Sequence, residues 1–177
     1  THNVAVGYAT GAAMTTGVLN TLIGGLAGDA LTTADENVTV GYNSLSTNTK
    51  SFYNVAIGSR SLAAHNISSA DTAGYNTAVG TAAGAAITTG INNTLIGGLS
   101  GDLMTTGNNN VGVGISSISG GTVTGNDNTG VGSAAGFALS SGINNSFFGH
   151  DAGRTGSPGG NITSANNTIV LGDDNVG

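Results

Sequence analysis

The sequence predicts an all-β fold, a parallel β-solenoid of about ten coils that are each 17–22 residues long. Asparagine recurs mostly every 17 residues, with one step of 18 and two of 22. A glycine follows four residues after each of the first nine asparagines, and Val, Ile or Phe precedes that glycine. A fixed period of this length with a strand-like core is typical of a stacked solenoid. The ten units open at Asn3, Asn20, Asn37, Asn54, Asn76, Asn93, Asn110, Asn128, Asn145 and Asn167.

The three residues after each asparagine predict a strand. The first is Val or Thr in most units, and the third is always Val, Ile or Phe in the first nine. Side chains of a strand alternate between faces, so these two columns share one face, and we assign that face to the interior. The second residue varies from Gly112 to Phe147. We therefore expect the second column to face outward, toward a neighbouring subunit that leaves a different amount of space at each coil.

The rest of each coil predicts a turn, a second strand and another turn. The recurring glycine allows the first turn, and a small residue three positions later suits close packing of a second strand. An apolar column and then a Thr-Thr-Gly turn complete the coil. The asparagine column is expected to form a ladder in which each side-chain amide bonds to the next coil. The apolar column contains Met14, Leu31, Ile87, Met104 and Leu139.

Composition excludes several classes of protein. Charged residues make up 7% of the chain and Gly contributes 32 residues, which would suit a disordered segment, but such segments do not keep apolar columns in register. No apolar run approaches the ~20 residues of a membrane span, so we expect no membrane insertion. The three cations, Lys50, Arg60 and Arg154, lie far apart in sequence, which disfavours nucleic-acid binding.

The sequence predicts no cofactor, no metal site and no catalytic residue. Cysteine is absent, which excludes disulfides and thiolate ligands. The glycines around Val113 are products of the repeat rather than a phosphate loop. A calcium-binding Gly-Gly-x-Gly-x-Asp series is also missing, and we expect the acidic pairs Asp35-Glu36 and Asp173-Asp174 to lie in solvated turns.

Two sequence stretches resemble known fibre families. The fourth unit, NVAIGSRSLAA from Asn54, resembles the head repeats of trimeric autotransporter adhesins. Units with Ala-Gly after the turn and with Thr-Thr-Gly, such as the one from Asn76, look like repeats of bacteriophage tail fibres. The segment from Asn167 to Gly177 is similar to the stretch before a self-cleaving chaperone domain in such fibres. The resemblance implies a left-handed parallel β-roll with three chains side by side and no enzymatic residues.

An independent argument also favours association. Each coil has few large apolar side chains, and ordering it costs about 1 to 2 kcal/mol per residue, so a lone roll would be marginally stable. Neither end resembles a capping element. We therefore expect residues 1–177 to form one repeat array, a homotrimer that belongs to a longer fibre.

Two units of 22 residues are the predicted binding elements. Each carries five extra residues, and insertions in repeat arrays fall in loops on one face, where binding concentrates. The candidate contacts break the repeat pattern; they are His65, Asn66, Asp71 and Tyr75 in the first unit, and Arg154, Pro158 and Asn161 in the second.

The predicted function is a structural segment of a trimeric phage tail fibre or surface adhesin, located on a virion or at a cell surface. It would project a binding part or itself attach to a host surface glycan or protein. An ice- or carbohydrate-binding solenoid that acts through rows of Thr is one alternative. A tailspike-like glycan hydrolase is another, for which His150, Asp151 and Arg154 form the densest polar cluster.

Overall fold

The computed structural model describes residues 2–67, 72–156 and 160–172, and confirms a parallel β-solenoid. Ten strands of three residues pair in chain order and in register, to form one parallel sheet. No helix long and apolar enough to cross a membrane occurs in these ranges. The strands are β1 Val4–Val6, β2 Thr21–Ile23, β3 Val38–Val40, β4 Val55–Ile57, β5 Thr77–Val79, β6 Thr94–Ile96, β7 Val111–Val113, β8 Thr129–Val131, β9 Ser146–Phe148 and β10 Ile169–Leu171.

The second strand predicted for each coil does not form in the described residues. Beyond β1–β10, only isolated bridges occur there, between Phe52 and Ala73 and between Met104 and Val123. Backbone hydrogen bonds still join coil to coil outside the sheet; the Thr88 N–H, for example, donates to the Thr105 carbonyl at 2.9 Å. Turns follow one another too closely for an extended segment to develop.

The two faces of the sheet are the reverse of the prediction. The second residue of the strands points inward, and Leu22, Leu95 and Phe147 have no exposed surface. The first and third residues point outward, so that Ile57 and Ile96 are 37% and 41% exposed. Constancy of the outer columns reflects stacking of like side chains along a flat face. The inner column varies because it must fill the space that the opposite wall of its own coil leaves.

In most coils a large residue of that inner column accompanies a small residue six positions further along the chain, or the reverse. Leu22 faces Gly28, whose added Cβ would lie 3.1 Å from a Leu22 methyl. In the fourth coil the sizes are inverted, because Ala56 is the inner residue and Leu62 fills the core. The uneven room that we assigned to a neighbouring subunit therefore lies inside each coil.

The recurring glycine is required by coil spacing as well as by the turn. Gly58 has φ of 127°, and a Cβ there would lie 2.4 Å from the carbonyl oxygen of Gly80 in the next coil. Strands in a sheet are about 4.8 Å apart, which leaves no room for a side chain between stacked turns. Any other residue would push the coils apart.

The predicted asparagine ladder is present along the whole stack. Asn93 is representative, because its Oδ1 accepts from the backbone N–H of Asn110 at 2.9 Å and from its Nδ2 at 3.2 Å. Its own Nδ2 donates to Asn76 Oδ1 at 3.1 Å and to the Gly107 carbonyl at 2.9 Å. Every ladder residue from Asn20 to Asn145 is buried.

The tenth unit opens one residue later than predicted. Ile169 pairs with Ser146, and the Thr168 N–H donates to Asn145 Oδ1 at 2.9 Å. Thr168 therefore occupies the ladder position. Asn167 instead occupies the preceding position, where its Oδ1 accepts from Asn144 Nδ2 at 2.7 Å.

The residue before each ladder position has left-handed backbone geometry. Its φ lies near +60° although none of these residues is glycine, a conformation that costs roughly 1 kcal/mol outside Asn and Asp. The side chains of this αL column are exposed and stack along one edge of the outer face. The αL column consists of His2, Leu19, Glu36, Tyr53, Tyr75, Asn92, Asn109, Asp127, Asn144 and Asn167.

The exchange of bulk predicts a compensating pair of substitutions. Ala56→Leu alone should destabilise the chain by about 1 to 3 kcal/mol, because it overpacks a core that Leu62 already fills. Adding Leu62→Gly should recover most of this loss, because it removes the side chain that fills the core at this point. Glycine also adopts the φ of 47° at this position without strain. Chemical denaturation of both single variants and the double variant measures the coupling, and strictly additive changes would contradict the packing.

Removal of one ladder amide should cost far more than removal of an exposed hydroxyl. We expect Asn93→Ala to lower the free energy of unfolding by about 3 kcal/mol or more, because buried partners in two neighbouring coils lose their hydrogen bonds. The control is Thr89→Ala in an exposed turn, which should change stability by less than about 0.5 kcal/mol. Equal melting temperatures for the two variants would refute a stabilising ladder.

Candidate functional site

His65 is part of the core and not a surface contact, which corrects the prediction. It has no exposed surface, and its Nε2 lies 3.3 Å from Ser51 Oγ, while Nδ1 is buried without a hydrogen-bond partner. Burial lowers the pKa of His65 to about 4, and the backbone of Thr88 opposes this shift. Spacing could have revealed this position, because His65 stands eleven residues after Asn54, as Leu31 does after Asn20.

The other residues of the first long unit have different environments. Asn66 is half-buried, and its Oδ1 accepts from Thr49 Oγ1 at 3.0 Å, so it joins coils. Asp71 lies outside the described residues. Tyr75 is 56% exposed, so among the predicted contacts of this unit it is the one that remains accessible to a ligand.

Tyr75 belongs to an aromatic cluster with Phe52 and Tyr53. The Tyr53 and Tyr75 rings are nearly parallel, with an interplanar angle of 11° and centroids 5.1 Å apart. Phe52 meets Tyr53 edge-on, also at 5.1 Å. The charge of the Glu36 carboxylate is the main cause that raises the pKa of the Tyr53 phenol, and burial adds to the shift. Sequence reasoning found Tyr75 but missed its two partners, which precede the insertion.

In the second long unit, the structure brings Arg154 and Asn161 together. Both line an open depression of about 330 Å³, together with Phe137 and Thr163. The Arg154 guanidinium lies over the Phe137 ring, 4.6 Å from its centroid, and donates to Asp151 Oδ1 at 2.7 Å. Arg154 is therefore held in place at one wall of the depression. Pro158 lies outside the described residues.

The cluster of His150, Asp151 and Arg154 contains a single carboxylate. Asp151 contacts Arg154 on one oxygen and lies 3.6 Å from His150 Nδ1 on the other. Glycoside hydrolysis ordinarily uses two carboxylates on opposite sides of the scissile bond. This geometry gives the hydrolase alternative no added support. Within the described residues, no three His, Asp or Glu side chains are placed to share a metal ion.

The largest feature that sequence reasoning missed is the outer face of the sheet. Its third-residue column is apolar throughout, with Val40, Val79 and Val113 half-buried and the other members exposed. The adjoining position beyond the turn glycine adds Tyr8, Tyr42 and Ile115, all more than half exposed. None of the thirty strand residues is charged. We call this surface the outer β face; its third-residue column consists of Val6, Ile23, Val40, Ile57, Val79, Ile96, Val113, Val131, Phe148 and Leu171.

Comparisons with protein-family models, with curated proteins and with solved structures gave no match.

The buried His65 predicts a dependence of stability on pH. Its pKa is about 4 in the folded chain and about 6.5 when unfolded, so the unfolded state binds more protons between these values. Above pH 6.5, where His65 is neutral in both states, it should not reduce the free energy of unfolding. As the pH drops from 6.5 toward 4, the free energy of unfolding should fall by at most about 3 kcal/mol. Denaturant unfolding between pH 7.5 and 4.5 would measure it.

The control for this prediction is a neutral side chain at the same position. His65→Gln should flatten the pH dependence relative to the parent, whereas Thr89→Ala, which changes no titratable group in an exposed turn, should leave it unchanged. The difference between the curves of the parent and His65→Gln then isolates the contribution of His65. Parallel curves for the parent and His65→Gln would contradict the assignment.

Proposed function

We propose that this chain is a non-enzymatic structural segment of a fibre, in which three copies pack side by side through their outer β faces. A phage tail fibre or a surface adhesin is the setting that the resemblance of the repeats suggests. The segment would project from a virion or cell surface and present attachment residues along its edges. The uncharged apolar outer β face is the observation that carries this proposal.

The size of that face supports burial against other chains. Ten strands at about 4.8 Å spacing make it roughly 43 Å long, and two columns of side chains make it about 12 Å wide. The resulting ~500 Å² is uncharged, and its apolar part consists of the third-residue column and half of the first-residue column, whose other members are Thr or Ser. An apolar patch of a few hundred Å² is comparable to the largest on typical monomers. Its uniform columns are self-complementary, since no charge of either sign opposes a second copy.

The choice of three copies over two comes from the resemblance of the repeats. Tyr8, Tyr42 and Ile115 add exposed apolar side chains next to the outer β face, in a column that otherwise holds Gly, Ser, Thr and His from Gly25 to His150. One flat contact of ~500 Å² falls below the roughly 800 Å² per partner of a standard interface. Contacts with two neighbours around a three-fold axis would bury more surface on each chain and close the assembly.

Ice binding is a second candidate, favoured by one observation. The first-residue column places Thr21, Thr77, Thr94 and Thr129 outward on a flat, in-register sheet. The Thr-Thr turns support this function less, because the Thr15 and Thr88 hydroxyls donate to carbonyls of the next coil. A solution of the chain that leaves ice growth unchanged would exclude this candidate.

The trimer is tested with charges on the outer β face. The parent should scatter light as a species of three times the chain mass at micromolar concentration. The double variant Ile57→Asp/Ile96→Asp should be monomeric yet folded, because both side chains are exposed in a single chain and carry charge only into the interface.

The matched control places the same two charges away from the face. Thr16→Asp/Thr89→Asp alters exposed turn residues and should remain trimeric. A folded, monomeric parent would overturn the proposal, and so would a trimer that tolerates both charges on the outer β face.

A further inference from the structure

We propose that the aromatic cluster of Phe52, Tyr53 and Tyr75 is a binding site for a neutral, extended oligosaccharide. The inference rests on the proposed function, since it names the ligand class that an attachment segment would take. The sugar chain would run along the αL column, parallel to the solenoid axis.

The arrangement of the rings supplies the stacking surface. Centroids 5.1 Å apart at an interplanar angle of 11° describe an offset stack, so each ring covers only part of the other. Tyr75 is 56% exposed and Tyr53 is 38% exposed, so both rings are accessible to a ligand. The apolar C–H face of a pyranose ring fits such a stepped aromatic surface.

The backbone holds this surface rigidly. The Gly74 N–H donates to the Phe52 carbonyl at 2.9 Å, and the Gly74 carbonyl accepts from the Asn92 N–H at 2.8 Å. A Cβ at Gly74 would lie 2.2 Å from Asn54 Oδ1, so this residue is pressed against the asparagine ladder. Tyr75 is consequently fixed above Tyr53 before any ligand arrives, which lowers the entropic cost of binding.

Polar groups extend from the rings in both directions along the αL column. Glu36 precedes Tyr53 by one coil, and the exposed Asn92 follows Tyr75 by one coil. Successive side chains of the column are therefore about 4.8 Å apart, a spacing close to the length of one pyranose unit. Amide and carboxylate groups at this interval suit the repeated hydroxyls of a linear glycan.

Charge selects between glycan classes. The charges of the Glu36 and Asp35 carboxylates both raise the pKa of the Tyr53 phenol. The chain as a whole carries a net charge of −6. Uronic or sialic acid chains would be repelled, so a neutral polymer is the expected ligand. A flat β-1,4-linked ribbon presents a C–H face on every ring, whereas a helical glycan does not.

The experiment titrates the 177-residue chain with cellohexaose, chitohexaose and hexagalacturonate in a calorimeter. At least one of the two neutral hexasaccharides should bind saturably, and the anionic one should not. Tyrosine emission offers a second readout, because the chain has four Tyr and no Trp. Tyr75→Ala should weaken the affinity by about tenfold or more, whereas Tyr75→Phe should retain it.

Asn144→Ala is the matched control, because Asn144 is exposed in the same αL column, with φ of 55° against 48° for Tyr75. It should bind like the parent. Failure of both neutral hexasaccharides to bind, or equal affinities for the parent and Tyr75→Ala, would overturn the inference. Light scattering on the same samples keeps the two proposals apart: a trimer without glycan binding refutes only this inference, and a monomer refutes the proposed function.

Discussion

The hydrogen bond from one buried asparagine to the next sets the spacing on which the whole structure depends. Each Asn Oδ1 accepts from the backbone N–H of the following ladder residue, so side chain and backbone are tied to the same coil repeat. Once coils stack at the strand spacing, the first turn position after each strand can hold only glycine, as Gly58 shows. The ladder also supplies partners inside a coil too thin to hide polar groups elsewhere, which explains why asparagine is better conserved along the stack than any apolar residue of the core.

Sequence reasoning located the repeats but assigned the sides of the strand incorrectly. The ladder and the invariant glycine were predictable, because each depends only on the position of a residue within its unit. The direction of Ile57 was not, because a short strand has one apolar face toward the core and another toward solvent or a partner, and alternation alone does not tell them apart. Variation at Leu22, Thr39 and Ala56 was in fact the sign of an interior that is filled differently in each coil.

The candidate sites show the same division. His65 breaks the apolar character of its column, and that made it look like a surface residue, although its distance from Asn54 places it inside. Its polar neighbours Asn48 and Ser51 form a buried layer with it, where Asn48 Nδ2 donates to the Ser51 carbonyl at 2.7 Å. Tyr75 could be recognised as an exception to the pattern, and the asparagine register places Tyr53 one coil before it, since each tyrosine precedes a ladder asparagine. The angle and separation of the two rings depend on side-chain rotamers, which the repeat pattern does not determine.

The exchange of bulk between the inner column and the opposite wall bears on how a tandem repeat finds its proper neighbours. Consecutive units are so similar that a chain could skip one and stack, for example, the third on the fifth, with all backbone bonds and the asparagine ladder intact. Such a shifted pairing would set the wrong large and small side chains above one another. Leu45, Leu62 and Gly84 occupy the same position in the third, fourth and fifth coils, so skipping the fourth coil would place Leu45 against Gly84 instead of Leu62. Irregular filling of the core thus distinguishes each coil from the others, and the residues that follow the repeat pattern least are those that favour correct stacking during folding.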